Sequence, residues 1–284
     1  MTAKDARISI LGLGVLGGSY AQALSAAGYT NLCGIDINEE YVSIALEQGW
    51  IQEGSVSAEA VADSELVISC LYPSIFVDWL KTNQDRLTPG SLLTDVTGVK
   101  RSVMDEIHTF LRKDVEYIAC HPMAGRESKG IHYADAGRFS SANFIIVPTE
   151  ENTEYAKDTM ISLAKDMNFA NISFLSPEEH DRMISYLSQL THVIAVSLMN
   201  TNDNTHLVKY TGDSFRDLTR IAKINEEMWP ELFLLNRDYL IQDIDSFIVE
   251  LSRFRDMIAS SDVEGMKQKM IQSTERRKLF DVEN

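Results

Sequence analysis

The chain has 284 residues, with 26 basic and 42 acidic side chains and a formal net charge of −16. Hydrophobic residues make up 44% and charged residues 24%, a globular composition with length for about two domains. The acidic balance excludes a surface for nucleic acid or anionic membrane, which needs clustered Lys and Arg, but it allows one local basic pocket for a small anionic substrate.

No apolar run reaches the ~18 residues of a membrane span, and Met1–Arg7 carries no apolar signal core. Cys33, Cys70 and Cys120 form an odd set without metal-ligand spacing. Each lies in an apolar stretch that reads as strand, so they are expected as small buried hydrophobes in a reducing cytoplasm, with no metal site.

Thirteen of the 15 glycines lie at or before Gly137, so short elements with turns are expected first and long helices later. Strands are predicted at 7–11, 32–35, 66–71, 91–94, 117–120, 143–147 and 171–175. Helical patterns at 15–27, 39–48, 99–112 and 154–167 fall between several of them. Alternation of this kind, with continuously apolar strands, predicts a mostly parallel sheet covered on both faces. Ser176-Pro177-Glu178-Glu179 is a capping box with Pro at the first helical position. A long helix is expected from 177 to 199, then helices over 214–224, 230–260 and 263–279. The fold class is therefore α/β, with a Rossmann-type dinucleotide-binding domain over 1–176 and an all-helical domain over 177–284.

Ile8-Ser9-Ile10-Leu11-Gly12-Leu13-Gly14-Val15-Leu16-Gly17 sets GxGxxG between a strand and an Ala-rich helix. Gly12 serves the tight turn, Gly14 the approach of a pyrophosphate and Gly17 the helix–strand contact. With Val15 and Leu16 they place the phosphates at a helix N-terminus. Asp36, 19 residues after Gly17, ends the second strand, where a carboxylate binds the adenosine ribose. It would repel a 2′-phosphate, and the cofactor reads as NAD.

Ligands of open α/β sheets bind beyond the carboxyl ends of the strands. Tyr72-Pro73, Asp95 to Gly98 and His121 to Gly125 follow such ends. His121 is placed to take a proton as hydride leaves a substrate. His108, His132, His180 and His206 read as surface or turn residues. In the helix from Pro177, Leu187, Leu190, Ile194 and Leu198 make an apolar stripe. His192 falls nearly opposite, beside Ser185 and Ser188, on a face that is either solvated or turned to a cleft. Arg216, Arg220 and Lys223 share a helical face suited either to a substrate carboxylate or to local ion pairs with Asp213 or Asp217.

Taken together, GLGVLGGS, Gly34-Ile35-Asp36, Asp95-Val96-Thr97-Gly98-Val99-Lys100, His121-Pro122-Met123-Ala124-Gly125, Ser188-Gln189-Leu190-Thr191-His192 and Phe215-Arg216-Asp217-Leu218-Thr219-Arg220-Ile221-Ala222 resemble the prephenate dehydrogenase family, with its arogenate-using relatives. The resemblance covers most of the chain. It implies NAD-dependent oxidative decarboxylation of prephenate to 4-hydroxyphenylpyruvate in tyrosine biosynthesis, or of arogenate to tyrosine. By the same resemblance, His121 deprotonates the ring hydroxyl, Arg220 binds a substrate carboxylate, and His192 and Trp229 lie near the substrate. Tyr72, Pro73 and Asp95 border the cofactor, and a homodimer forms through the helical domain. The family's D-x-G-S-V-K motif is altered: its Ser position is Gly98, so Thr97 is assigned a supporting role from one residue earlier. Arg126 faces either the second carboxylate or solvent. A β-hydroxyacid dehydrogenase and a non-catalytic NAD sensor are the other readings.

Overall fold

The computed structural model describes residues 3–125 and 128–281. In chain order the elements are β1 (Ile8–Leu11), α1 (Val15–Ala26), β2 (Leu32–Ile35), α2 (Glu39–Glu47), β3 (Glu53–Ser55), β4 (Leu66–Ser69), α3 (Pro73–Asn83), β5 (Leu92–Asp95), α4 (Arg101–His108), β6 (Glu116–Tyr117), β7 (Ala119–Pro122), β8 (Asn143–Val147), α5 (Glu154–Asp166) and β9 (Asn171–Phe174). Helices follow alone: α6 (Pro177–Ile184), α7 (Leu190–Asn200), α8 (Asp213–Thr219), α9 (Met228–Leu235), α10 (Arg237–Ala259) and α11 (Val263–Lys278). Among the described residues no helix is long and apolar enough to cross a membrane.

Six strands form one parallel sheet in the order β3-β2-β1-β4-β5-β6. Its inner strands, β2, β1, β4 and β5, are buried on both faces. Ile8, Ile10, Leu66, Ile68 and Leu92 belong to one core cluster, and Leu11, Val67 and Leu93 to the other. That is why they read as continuous apolar runs rather than as alternation. β3 escaped the sequence reading because it is a three-residue polar edge strand. Gly54 is required there, since a Cβ would come within 2.4 Å of Val42.

The strand expected over 117–120 divides. Ile118 still donates to Leu93 O of the main sheet, and the chain then leaves as β7, antiparallel to β8 in a second, three-stranded sheet. His121 therefore stands within β7, opposite Ile145, rather than in a loop past a strand end. Cys33 and Cys120 are buried thiols, whereas Cys70 follows β4 and is half-buried at the edge of a cleft.

The capping box forms as expected, with the Ser176 side chain accepting from Glu179 N and Glu179 Oε2 accepting from Ser176 N. The single helix expected over 177–199 instead contains a π-helical turn, Ser185–Gln189, between α6 and α7. The helix expected over 230–260 breaks at Asn236, whose side-chain amide donates to Asp181 O and Gln189 Oε1, each at 2.8 Å. By contacts the chain forms two compact units, Met1–Asn236 and Arg237–Asn284. The helices from Pro177 to Leu235 thus share a unit with the sheets. In the second unit α10 packs on α11, tied by a 2.6 Å Lys269–Glu250 ion pair.

Candidate active site

The nucleotide fingerprint has the geometry its sequence requires. Gly12 adopts φ +83°, a region that penalises any side chain. A Cβ on Gly17 would lie 1.7 Å from Gly12 O, so only glycine lets α1 start against β1. A Cβ at Gly14 meets nothing within 4 Å, leaving the backbone open to a ligand. Gly14 caps α1 without a side-chain bond, and the first turn holds no acid, so its N–H groups are available to phosphate. Asp36 accepts from Leu13 N at 2.6 Å and Asn38 N at 2.8 Å, which fixes its carboxylate at the cleft with lone pairs to spare for ribose hydroxyls.

A cavity of about 500 Å³ opens here, walled by Gly12, Gly14, Asp36, Ile37, Tyr72 and Trp79 among others. A second, of about 180 Å³, runs on past Val15, Leu16, Tyr72, Pro73, Thr97 and Gly98. It shares Leu16, Val96, Gly98, Met228 and Leu232 with a third, of about 310 Å³. The third cavity contains His121, Ser188, His192, Arg220 and Trp229. A larger cavity of about 850 Å³ lies beside β6 and contains none of the expected site residues.

His121 Nδ1 lies 2.9 Å from His180 Nε2, and His180 Nδ1 lies 2.8 Å from Asp181 Oδ1. Asp181 also accepts from Lys100 N at 2.8 Å and Arg101 N at 2.9 Å, capping the start of α4. Enclosure first, then the neighbouring His180 and Lys100, hold the His121 imidazole far below its usual 6.5. His180 is lowered too, by burial that outweighs the bond to Asp181. Both rings are therefore neutral near pH 7.

The expectation that His180 is a surface residue is overturned: it is 0% exposed. Local pattern in the sequence reaches only its neighbour: the semi-polar face of Ser185, Ser188 and His192, followed back toward Pro177 at helical spacing, meets Asp181. His108, His132 and His206 are exposed, as expected.

His192 faces the third cavity rather than bulk solvent. Its Nδ1–H donates to Ser188 O at 2.8 Å, and its ring stacks on Trp229 with centroids 3.8 Å apart. Arg220 borders the same cavity, but Arg216 does not share its direction. α8 ends at Thr219 and a 3-10 turn takes over, while Arg216 pairs with Asp213 at 3.1 Å. Arg126 lies outside the described residues.

Asp95 and Thr97 belong to a buried hydrogen-bonded cluster with Lys100, from which Thr97 still borders the second cavity. Asp95 is fully buried and is not among the residues lining the cofactor cavities, accepting from Lys100 Nζ at 2.6 Å, Tyr117 OH at 2.7 Å and Thr97 N at 2.7 Å. The Thr97 hydroxyl is held by Asp95, Val99 O and Lys100 rather than by His121. On the Nε2 side of His121 lies Gly98, where a Cβ would stand 4.0 Å from Nε2. Asn225 escaped the sequence reading: its amide donates to Tyr72 OH at 2.8 Å, and its Oδ1 accepts from Glu227 N and Met228 N at the entry to α9.

Fold and cleft together define a dehydrogenase of the dinucleotide-binding class, with imidazole and guanidinium groups in the cavity adjoining the nucleotide site. Comparison with known proteins narrows the class. Residues 20–171 match the family described as "Prephenate dehydrogenase, nucleotide-binding domain" and 176–272 the one described as "Prephenate dehydrogenase, dimerization domain". The chain is 29% identical to the prephenate dehydrogenase of Bacillus subtilis, over 91% of this chain and 72% of that one. It is 27% identical to the cyclohexadienyl dehydrogenase of Zymomonas mobilis, over 90% and 89%. Its fold superposes on prephenate dehydrogenase from Aquifex aeolicus, solved with hydroxyphenyl propionate and NAD+, with a TM-score of 0.89 at 27% identity, covering 99% and 100% of the two chains. The chain belongs to the prephenate dehydrogenase family, the dehydrogenases of tyrosine biosynthesis.

Proposed function

We propose that this enzyme uses NAD to convert prephenate into 4-hydroxyphenylpyruvate and CO2. NAD, when bound, supplies the hydride acceptor. Gly12, Gly14 and the first turn of α1 hold its pyrophosphate. Asp36 binds the adenosine ribose and disfavours a 2′-phosphate, since Lys129, the one Lys lining that cavity among the described residues, is already paired with Glu227 at 3.1 Å.

The observation that carries this reading is the neutral His121 in one cavity with Arg220, next to the cofactor cleft. His121 accepts the proton of the C4 hydroxyl as hydride leaves C4, the carbonyl forms and the ring loses CO2 to become aromatic. Arg220 pairs with a substrate carboxylate, while His192 and Trp229 pack beside the side chain.

Prephenate is favoured over arogenate by charge. Among the described residues, the third cavity is lined by no Asp or Glu. The side-chain ammonium of arogenate would enter it without an anionic partner, whereas the keto group of prephenate needs none. A β-hydroxyacid dehydrogenase would place a Lys on the helix where this chain has Ser188 to His192. The protein is proposed to work in the cytoplasm as a homodimer. Tyr186, Leu187, Leu218 and Leu234 are exposed apolar residues of the first unit, and Ile248, Leu251 and Ile258 of the second.

Initial rates of NADH formation with prephenate and with arogenate test the assignment. A higher kcat/KM for prephenate is expected. Preference for arogenate would refute the specificity, and NAD binding without turnover on either substrate would favour the sensor reading.

A further inference from the structure

His121 can act as a base only if its cavity-facing Nε2 carries a lone pair, and the chain has to fix that tautomer. The bonds behind the ring do so by elimination. Asp181 faces three N–H donors: the backbone groups of Lys100 and Arg101, and His180 Nδ1. Its oxygens act as acceptors, so the proton of the shared bond sits on His180 Nδ1. His180 Nε2 is then bare and must accept from His121 Nδ1–H across 2.9 Å. His121 Nε2 is left without a proton, on the cavity side near Gly98. Residue 98 offers no side chain to hold the ring from that side, so the hold comes from behind.

We propose that His180 and Asp181 are positioning residues that lock His121 in the Nδ1–H tautomer and stabilise the imidazolium formed during turnover. This rests on the reading of His121 as the base. In the step, the substrate O–H bond breaks and an Nε2–H bond forms on His121, whose Nδ1–H then donates more strongly to His180. Asp181, anchored at the N-terminus of α4, polarises His180 for that role. The arrangement costs nothing at the moment of reaction because every bond in it exists beforehand.

The test compares His180→Leu, which removes the acceptor, with His180→Gln, whose side-chain carbonyl can accept the same Nδ1–H, in the full-length enzyme. The Leu variant is expected to lose roughly 100-fold or more in kcat, with KM and NAD affinity held within about threefold. The Gln variant should regain about tenfold or more of that loss. Imidazole ¹⁵N spectra of the ligand-free wild type near pH 7.5 provide a readout independent of any substrate, expected to show His121 and His180 both protonated on Nδ1 and bare on Nε2. A His121 protonated on Nε2 would overturn the proposal, as would a Leu variant turning over within about threefold of wild type. Equal losses in folded Leu and Gln variants would do so too. Wild type inactive on prephenate would refute the functional reading instead, and the tautomer spectrum would still decide the relay.

Discussion

Lys100→Met separates two tasks that one buried cation performs. Lys100 and Asp95 are both 0% exposed and paired at 2.6 Å, so the substitution leaves a buried carboxylate without its counter-ion. Removing one partner of such a pair costs about 3–5 kcal/mol. Asp95 keeps Tyr117 OH and the Thr97 N–H and hydroxyl, which places the cost near ~3 kcal/mol, the low end. For a chain of this size that corresponds to a fall in Tm of roughly 6–12 °C. The second effect is electrostatic: the Lys100 charge is one of the causes depressing His121. Only neutral His121 accepts a proton, so activity falls as pH drops through its pKa. Removing the cation raises that pKa, and the acid limb of kcat/KM moves to higher pH. Urea unfolding and a pH–rate profile measure the two effects, and Asp95→Asn combined with Lys100→Met should recover much of the stability. A loss below ~1 kcal/mol, or an acid limb that stays in place, would refute the reasoning.

Three further outcomes are expected. His121→Asn should lower kcat by about 10²–10⁴ while leaving NAD binding, followed by fluorescence titration, nearly unchanged. Arg220→Ala should act mainly on KM for the substrate, by about tenfold or more, whereas a surface substitution such as Lys113→Ala should leave steady-state kinetics unaltered. Asp36→Asn preserves the shape that receives Leu13 N but removes the charge, so KM for NAD should rise and the preference over NADP narrow by about tenfold or more.

The main sheet was legible because its inner strands are buried on both faces, and the fingerprint because turn, cofactor approach and helix contact each demand glycine. What escaped notice depended on pairing across the chain. The departure at Ile118, which carries His121 into a second sheet, is decided by β8, some 25 residues later, not by local composition. His180 and Asp181 sit in Glu-Glu-His-Asp-Arg, a stretch as polar as any solvated helix start. Only their partners, His121 and the α4 N-terminus, make them interior groups. Asp95 was located correctly along the chain, but periodicity cannot tell that Lys100 folds back to pair with it in the interior.

The π-helical turn at Ser185–Gln189 sets the angular phase of the whole segment. Along an uninterrupted α-helix, residues 12 positions apart point about 120° away from each other. A π-bulge amounts to one inserted residue, which reduces the offset between His180 and His192 to roughly 20°. The relay behind His121 and the histidine stacked on Trp229 can therefore serve one cavity from a single helical rod. Deleting one residue within 185–189 would restore regular winding and leave His192 in phase with His180, whereas regularising the turn without a deletion would swing His192 out by about 100°. Phase rather than length thus ties these two histidines together: a bulged segment and one shorter by a residue with regular winding present them in the same direction.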